Sequence, residues 1–346
     1  MKIIFITHKW QARTGESCVR ALQEMGHETK IAYAKIGAVS LYAKLYYRLK
    51  RSKLIGTHLS NIEMQVLNAH IIKTVCEFCP DLIINNAGGE VFPETLEIIR
   101  KKTHAKLVCW AGDDPSTYQL SNNYLAGMKH YDNYFMVDPS WYSADLKSIG
   151  LKKCSILQYG VDPEIYTPVV LSLKEKKKLS SDVCHLGSPH NDRIVLLRQL
   201  LDYDLSLWGA TSTKLFKNFS KLPSELLPKV RSGVVPAHVS NKIYNASKIC
   251  LNIQHQQVSC AHSNKTFEIA ASGAFLITSL SPAHDNSFAP GELITFNGIS
   301  ELRKLIDYYL ANESERESIA KLAYTRTMNN HLYKHRMLQM LAEAGF

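Results

Sequence analysis

The sequence contains no long hydrophobic run. Nowhere in its 346 residues do about 18 apolar residues follow one another, so no segment is predicted to cross a bilayer as a helix. The first ten residues, MKIIFITHKW, include a short apolar run that is typical of a first β-strand, and they lack the long apolar region and cleavage site of a signal peptide. We therefore expect a cytoplasmic protein that is soluble or bound peripherally to the inner face of the membrane.

Three catalytic signatures are missing as well. The loop after the first predicted strand has no G-x-G-x-x-G, and neither a P-loop nor the G-x-S-x-G of serine hydrolases occurs in the chain. These patterns form the tight turns that classical dinucleotide-binding proteins, P-loop NTPases and serine hydrolases need. The sequence therefore argues against these three classes.

Cysteine is present, but without a disulfide or metal-binding pattern. The eight cysteines are scattered, as in proteins of a reducing compartment, and Cys76-x-x-Cys79 has no second pair with which to form a zinc site. The run 202–204, DYD, matches a D-x-D metal motif, but it precedes a predicted strand rather than following one. We expect neither a bound metal nor another cofactor.

An excess of basic residues is the informative feature of the composition. The chain carries 41 Lys and Arg against 31 Asp and Glu, a formal net charge of +10. This favours a polyanionic partner, which could be a sugar nucleotide, an anionic membrane surface or a nucleic acid. Residues 41–53 are predicted to form a basic, aromatic amphipathic helix that could lie on an anionic membrane, although an ordinary surface helix remains the alternative.

Apolar segments of strand length alternate with segments of helical periodicity along the chain. This alternation indicates an α/β fold with parallel sheets. Glycine, two prolines and a lysine-rich run between residues 160 and 178 mark a domain boundary near the middle.

The stretch 263–280, SNKTFEIAASGAFLITSL, is the most informative part of the chain. Its apolar spacing predicts a short helix, ended by Gly273 in the left-handed conformation and followed by a buried strand. Such a helix starts at the carboxyl edge of a parallel sheet, where its N-terminus favours a phosphate. A second cradle of this kind is predicted at Gly187 and Ser188, where a glycine turn precedes a helix and Arg193 could contact a diphosphate.

The same stretch carries a family resemblance. The run 265–273, KTFEIAASG, resembles the R-x-F-E-x-x-A-x-G motif of the CgeB-like glycosyltransferases, which belong to the group-1, GT-B glycosyltransferases. The run 113–115, DDP, and the segment 160–168 are similar to parts of the same family. The resemblance implies a GT-B fold, in which two Rossmann-like doubly wound α/β domains face a central cleft.

On this resemblance the chain divides into an N-terminal acceptor-side domain at 1–168, a nucleotide-sugar-binding domain at 169–330, and a helix at 331–346 that crosses back to the N-terminal domain. The family's arginine is Lys265 here, which keeps the charge but loses the bidentate geometry. Related retaining enzymes often carry a second glutamate where this chain has Cys260, so the stereochemical outcome stays open.

The resemblance assigns Glu268 to the ribose hydroxyls of a sugar nucleotide. A carboxylate can accept both hydrogen bonds from a vicinal diol, and a helix-capping glutamate without a ligand is the alternative. The predicted donor site combines the start of this helix with two glycine turns: Asn264, Lys265, Thr266, Phe267, Glu268, Gly187, Ser188, Arg193 and Gly209.

Asp113 and Asp114 follow a buried strand in the predicted acceptor-side domain. A carboxylate at this position could act as the general base that activates the acceptor hydroxyl. The alternative is that the pair caps the next helix, for which Asp114 is the better placed.

These features together predict a glycosyltransferase that moves a hexosyl or pentosyl group from a nucleotide sugar to an acceptor hydroxyl without a metal. The expected donor is a UDP-sugar. The expected acceptor is a cell-surface glycan or lipid-linked saccharide, then a protein, and third a hydroxylated base in DNA, since the basic charge suits a phosphate backbone. A catalytically inactive binding protein of the same fold is the alternative from a different class.

Overall fold

The computed structural model of the chain describes residues 1–8, 14–35, 56–116, 121–142, 144–148, 150–209, 222–233 and 235–346. The predicted amphipathic helix at 41–53 lies outside these residues. The Cα positions divide the chain into two compact units: unit 1 comprises Met1–Gln158 and Arg336–Phe346, and unit 2 comprises Tyr159–His335. The first division falls earlier than the predicted boundary at 168/169, and the second falls later than the predicted boundary at 330/331.

Unit 1 is built on a six-stranded sheet in which every pairing is parallel. The strands are β1 (Lys2–His8), β2 (Glu28–Lys35), β3 (Leu82–Asn85), β4 (Lys106–Ala111), β5 (Asn133–Met136) and β6 (Cys154–Ile156). Their order is β2-β1-β3-β4-β5-β6, so the direction of winding reverses between β1 and β3. The run 3–6 of β1, IIFI, is fully buried, which is typical of a strand covered on both faces.

The helices described between these strands are α1 (Thr14–Glu24), α2 (Gly56–Phe78), α3 (Pro93–Lys102), α4 (Asn122–Met128) and α5 (Ala144–Ser148). The start of α1 lies very close to the end of β1. A Cβ atom on Gly15 would come within 2.6 Å of the Thr7 side chain, so only glycine fits at this approach.

Unit 2 contains a second parallel sheet of six strands. The strands are β7 (Val183–Leu186), β8 (Leu205–Trp208), β9 (Val230–Ser232), β10 (Ile249–Asn252), β11 (Leu276–Ser279) and β12 (Ile294–Phe296). Their order is β12-β11-β10-β7-β8-β9. Counted within the unit this is 6-5-4-1-2-3, the order of dinucleotide-binding folds, with the reversal between β7 and β10.

Helices cover both faces of this second sheet. They are α6 (Leu173–Leu179), α7 (Asn191–Leu197), α8 (Ala237–Ala246), α9 (Asn264–Ala271), α10 (His284–Ser287), α11 (Ile299–Ala311) and α12 (Glu313–Asn330). Successive strand residues point into different cores: Leu251 packs with α7 and α11, whereas Cys250 packs with α8 and α9. The predicted fold class of two Rossmann-like, doubly wound units is confirmed.

The last helix, α13 (Tyr333–Ala344), starts in unit 2 and from Arg336 onwards belongs to unit 1. Its C-terminal part is held by two lysines of unit 1, one at the start of β4 and one just before β6: Lys106 Nζ lies 2.5 Å from the carbonyl oxygen of Ala344, and Lys153 Nζ lies 2.8 Å from that of Glu343. Among the helices that the structure describes, α13 included, none combines the length and apolar character that a bilayer crossing requires.

We expect Gly160→Ala to lower the free energy of unfolding by about 1–3 kcal/mol, the usual cost of forcing a methyl group into a packed site. A Cβ at this position would lie 2.8 Å from the backbone nitrogen of Tyr333. The contact cannot relax easily, because Val161 N donates to His331 O at 3.0 Å and Tyr333 N donates to Val161 O at 3.1 Å. Urea denaturation followed by circular dichroism measures the change.

Gly127→Ala is the matched control. There the nearest atom to a new Cβ is the mobile end of a side chain, Leu96 Cδ1 at 3.2 Å, and alanine favours the helical conformation. We expect this variant to keep nearly the stability of the unchanged protein. Equal losses in the two variants would contradict the specific role of the Gly160 contact.

Candidate functional site

The candidate site lies at the carboxyl ends of β7 and β10, the two strands between which the sheet of unit 2 reverses its winding. In open α/β sheets this is the position at which ligands bind. Three segments meet there: the loop after β7, the loop after β10, and the first turn of α9.

Asn252, the last residue of β10, fixes the start of α9. Its side chain is fully buried, and Nδ2 lies 3.1 Å from each of the hydroxyl oxygens of Ser263, Thr266 and Thr278. The Ser263 hydroxyl therefore points toward the sheet and makes no cap bond to the helix. Thr266 N donates to Ser263 O at 3.1 Å, and the start of α9 presents its other N–H groups, which lack partners in a preceding turn, at the carboxyl edge of the sheet.

Gln254 holds the loop that connects β10 to α9. Its Oε1 accepts a hydrogen bond from Ser263 N at 3.1 Å, and its own backbone N donates to Ser279 Oγ at 3.2 Å. The loop is thus tied both to the helix that it precedes and to β11.

Glu268 lies one turn inside α9, where Asn264 Nδ2 donates to its Oε1 at 2.8 Å. Burial raises the pKa of Glu268, while the positive charge of Lys265 and hydrogen bonds, among them one from Tyr166, oppose the shift. The structure thus holds a partly exposed carboxylate in an environment that disfavours its charge. Such an environment is frequent at binding sites.

Lys265 lies near the same carboxylate. Burial lowers the pKa of Lys265, the charge of Glu268 opposes that shift, and the like charge of Arg193 adds to it. Two basic side chains are therefore close together at the start of α9, and an anionic ligand there would relieve their repulsion.

Arg193 lies at this position too, but its guanidinium is used to join the two loops. Nε donates to the carbonyl oxygen of Ile253 at 2.8 Å, Nη1 donates to that of Ser188 at 3.1 Å, and the residue is only 8% exposed. The sequence predicted contact with a diphosphate. The contacts that the structure shows are with the backbone, so Arg193 positions the loops after β7 and β10.

Gly187 and Gly209 leave space around this guanidinium. A Cβ on Gly187 would lie 3.2 Å from both Arg193 Nη1 and His185 Nε2. Gly209 adopts a φ of +75°, and a Cβ there would lie 3.4 Å from the carbonyl oxygen of Gly187. A larger residue would therefore crowd the side chains of Arg193 and His185 at position 187 and strain the backbone at position 209.

Thr266 and Phe267, both predicted to contact the donor, have side chains that are fully buried. Thr266 binds Asn252, and the Phe267 ring stacks on His331 with centroids 4.8 Å apart. Their side chains therefore serve to pack α9 against the rest of unit 2.

The predicted catalytic carboxylates Asp113 and Asp114 lie in unit 1, after β4. Asp114 Oδ1 accepts hydrogen bonds from both the backbone N and the hydroxyl of Ser116, at 2.8 and 2.7 Å. This is a local Asx turn, and the next described helix, α4, is capped by Ser121, whose hydroxyl accepts from Tyr124 N at 3.1 Å. Asp113 is exposed to solvent.

The carboxylates of the D-x-D run take part in contacts within unit 2. Arg303 Nη1 donates to Asp202 Oδ1 at 2.8 Å, and Asp204 Oδ2 accepts from Asp182 N at 3.3 Å. In the part of the chain that the structure describes, no three His, Cys, Asp or Glu side chains are grouped so as to hold a metal ion.

Sequence reasoning missed two histidines of the site, His185 and His190. His185 is buried in β7 and donates from Nδ1 to Leu251 O at 3.0 Å, and burial with the nearby Arg193 charge lowers its pKa to about 3. His190 precedes α7, and burial together with His255, whose ring centroid is 4.1 Å away, lowers its pKa to about 4. Both imidazoles are therefore neutral at pH 7.

Asn252 was missed as well, although the sequence contained a signal for it. A polar residue at the last position of an otherwise apolar strand is common where parallel strands end at a site. His185 is likewise the one polar residue in the apolar strand 183–186, one position before its end.

Comparison with known proteins shows what the chain is similar to. A family model described as glycosyl transferase-like matches residues 193–342. The chain is also similar to the spore protein CgeB of Bacillus subtilis (strain 168), with 22% identity over 323 residues that cover 86% of this chain and 93% of CgeB.

Solved structures share the fold over nearly the whole chain. Sucrose-phosphate synthase from Thermosynechococcus elongatus has a TM-score of 0.68 at 12% identity and covers 99% of this chain and 98% of its own. Anabaena Alr3699/HepE in complex with UDP-glucose has a TM-score of 0.66 at 14% identity and covers 99% and 100%. A glycosyltransferase from Rickettsia africae ESF-5 has a TM-score of 0.68 at 13% identity and covers 99% and 97%. The solved structures show that the chain has the GT-B fold, and with the motif at 265–273 the other comparisons show that it is similar to the CgeB-like, group-1 glycosyltransferases.

Proposed function

We propose that this protein transfers a hexosyl or pentosyl group from a UDP-sugar to a hydroxyl group of an acceptor. The observation that carries the proposal is the placement of Glu268: a partly exposed carboxylate, oriented by Asn264, one turn from a helix N-terminus at the reversal point of a dinucleotide-type sheet. A carboxylate can accept hydrogen bonds from the two hydroxyl groups of a ribose. The N–H groups at a helix N-terminus can donate hydrogen bonds to a phosphate. Glu268 lies one helical turn after Asn264, the first residue of α9.

The diphosphate would be stabilised by the protein without a metal. The backbone N–H groups at the start of α9 and the ammonium group of Lys265 supply positive charge where the leaving group develops its negative charge. Arg193 adds a buried positive charge nearby, although its donors contact Ile253 and Ser188. Gly187, Ser188 and Gly209 would shape the space for the rest of the nucleotide.

UDP is the proposed nucleotide because of the structural relative HepE, which has been solved with UDP-glucose and with UDP. For the acceptor we propose a cell-surface glycan or glycoconjugate, in keeping with the curated relative, which is a spore protein. We propose Asp113, which is exposed after β4, as the residue that contacts the acceptor.

In the absence of ligand, we expect Glu268→Gln to stabilise the protein at pH 7 but not at pH 4. Burial raises the pKa of Glu268 above its ordinary value of 4.5, so the folded protein holds a proton that the unfolded chain has released. The stability of the unchanged protein therefore falls as the pH rises from 4.5 through the folded-state pKa. Glutamine mimics the protonated form and removes this loss.

Melting temperatures of the two proteins between pH 4 and pH 7 measure the effect. The curves should coincide at pH 4 and diverge toward pH 7, with the variant higher. A variant that melts below the unchanged protein at pH 7 would contradict the direction of the shift.

UDP-glucose at about 100 times its dissociation constant should stabilise the unchanged protein by about 2.7 kcal/mol. Glu268→Ala should weaken binding by about 10- to 100-fold, the loss expected for a hydrogen bond to a charged group. Thermal shift and titration calorimetry with UDP-, GDP-, dTDP- and CMP-sugars measure both effects.

Glu317→Ala, an exposed glutamate on α12, is the matched control and should bind like the unchanged protein. If no nucleotide sugar stabilises the folded protein, the proposal fails and the inactive binding protein becomes the better hypothesis. Equal losses at Glu268 and Glu317 would remove Glu268 from the donor site.

A further inference from the structure

Two aliphatic side chains stand out from the segment 168–179 of unit 2, which leads into the amino end of β7. Val170 is fully exposed and Leu173 is 87% exposed, and in the part of the chain that the structure describes they are the two most exposed large apolar side chains. A single exposed apolar residue is common on a protein surface. Two of them three positions apart on one short segment indicate a surface that a binding partner covers.

Lysines surround these two side chains. The run 173–178, LKEKKK, contains four lysines and one glutamate, and all four lysines are exposed. Lys242 Nζ of α8 lies 2.7 Å from Glu175 Oε1, so the acidic group of the run already has a basic partner. None of the four lysines pairs with a carboxylate among the residues that the structure describes. Their positive charge therefore faces solvent.

The start of the segment is held to α8 by Asn245. Its Oδ1 accepts a hydrogen bond from Val169 N at 2.9 Å, and its Nδ2 donates to Thr167 O at 3.3 Å. Leu171, the residue after Val170, is buried. The residues on both sides of Val170 are thus fixed to unit 2, so the fold itself turns this side chain outward.

The helix α6 is held firmly as well. It begins with a capping box, in which Glu175 N donates to Ser172 Oγ at 3.3 Å and Ser172 N donates to Glu175 Oε2 at 3.0 Å. Its last residue, Leu179, is buried in the core of unit 2. The helix therefore cannot turn its exposed side inward without breaking this cap and exposing the buried leucine.

The exposed side of α6 combines apolar and basic groups. Lys177 lies four positions after Leu173 and three after Lys174, so the three side chains share one face of the helix. At about 100° per residue, this face is turned away from Leu179. An apolar side chain thus lies among ammonium groups on an outward face, which is the pattern of a helix that binds at a membrane interface.

This surface lies at the opposite edge of the sheet from the candidate site of unit 2. Pro168 is close to Gly273, since a Cβ added to Gly273 would lie 3.0 Å from Pro168 Cγ. Gly273 precedes β11 and α6 precedes β7, so both lie toward the amino ends of parallel strands. The candidate site is at the carboxyl ends. A partner bound to 168–179 therefore leaves that site open.

We propose that the segment 168–179 is a docking surface for an anionic lipid bilayer. The lysines attract the phosphate groups of anionic lipids, and each basic residue near such a surface raises the affinity by about fivefold. Val170 and Leu173 enter the boundary between the head groups and the acyl chains. A nucleic acid would also attract the lysines, but it offers no apolar phase for two aliphatic side chains.

This docking is independent of the sugar transfer proposed above, and the segment differs from 41–53, for which the sequence predicted membrane contact. The test measures co-flotation of the full chain with vesicles in the absence of any nucleotide sugar. One set of vesicles is pure phosphatidylcholine, and the other contains about one third phosphatidylglycerol to supply anionic charge. We expect binding to the anionic vesicles only, and we expect it to weaken with added salt, which screens exposed charges.

The double variant Val170→Ser with Leu173→Ser should lower the affinity for anionic vesicles by about tenfold or more, because two aliphatic side chains no longer leave water. Its dependence on salt should stay as it is. The matched control is Val195→Ser with Leu227→Ser, the same change at positions of unit 2 that are 59% and 56% exposed and lie outside the lysine run. This control should bind like the unchanged protein.

The double variant Lys174→Gln with Lys177→Gln should lower the affinity by about 25-fold at low salt, or about fivefold for each lysine. Its dependence on salt should become weaker, because fewer charges are left to screen. Lys304→Gln with Lys334→Gln removes the same charge from exposed positions on α11 and α13. This second control should bind like the unchanged protein.

Circular dichroism of every variant verifies that the fold is kept. Failure to bind anionic vesicles, binding that is equal for the two kinds of vesicle, or equal losses in the test and control variants would overturn the docking surface. So would an unchanged affinity after the substitutions at Val170 and Leu173. Binding of duplex DNA in place of vesicles, lost only with Lys174 and Lys177, would assign the surface to nucleic acid instead. Titration with UDP-glucose remains the separate test of the proposed function.

Discussion

The Arg193 guanidinium joins the two loops that leave β7 and β10, through hydrogen bonds to the carbonyl oxygens of Ser188 and Ile253. These loops diverge because the sheet reverses its winding between their strands. Carbonyl groups at such a position need donors once they are removed from water, and a guanidinium presents donors on several edges. One side chain therefore supplies hydrogen-bond donors to carbonyl groups of both loops and holds the two loops together. The consequence is a positive charge that is 8% exposed beside the proposed diphosphate.

That charge accounts for much of the chemistry around it. His185 remains neutral, partly because the charge of Arg193 lowers its pKa. The pKa of Lys265 is lowered mainly by burial and also by the charge of Arg193. Burial disfavours the charged form of Glu268 and raises its pKa. The groups that would bind a ligand are thus held in states that reduce the stability of the empty protein. Proteins often accept such a loss at a functional site, since a rigid and incompletely compensated site binds its ligand more strongly.

The sequence predicted those parts of this architecture that depend on neighbouring residues. The stretch 263–280 was expected to form a helix, a glycine stop and a strand, and the structure has α9, Gly273 at a φ of +69° and β11 in that order. What the sequence did not reveal are contacts between residues far apart in the chain. Arg193 meets Ile253 across 60 positions, and His8 meets Glu90 across 82. Local periodicity carries no information on such pairs, so neither pair was predicted from the sequence.

Unit 2 is a continuous segment, whereas unit 1 is formed from two segments that lie on either side of it in the chain. During synthesis, all of unit 2 therefore leaves the ribosome before Arg336–Phe346, the piece that unit 1 still lacks. Unit 2 can fold as soon as it has emerged, because domains generally fold as units from the N-terminal side onwards. The side chains of Lys106 and Lys153 in unit 1 wait longest for their partners, since the carbonyl groups that they bind belong to Ala344 and Glu343. The unit whose synthesis begins first is thus completed last.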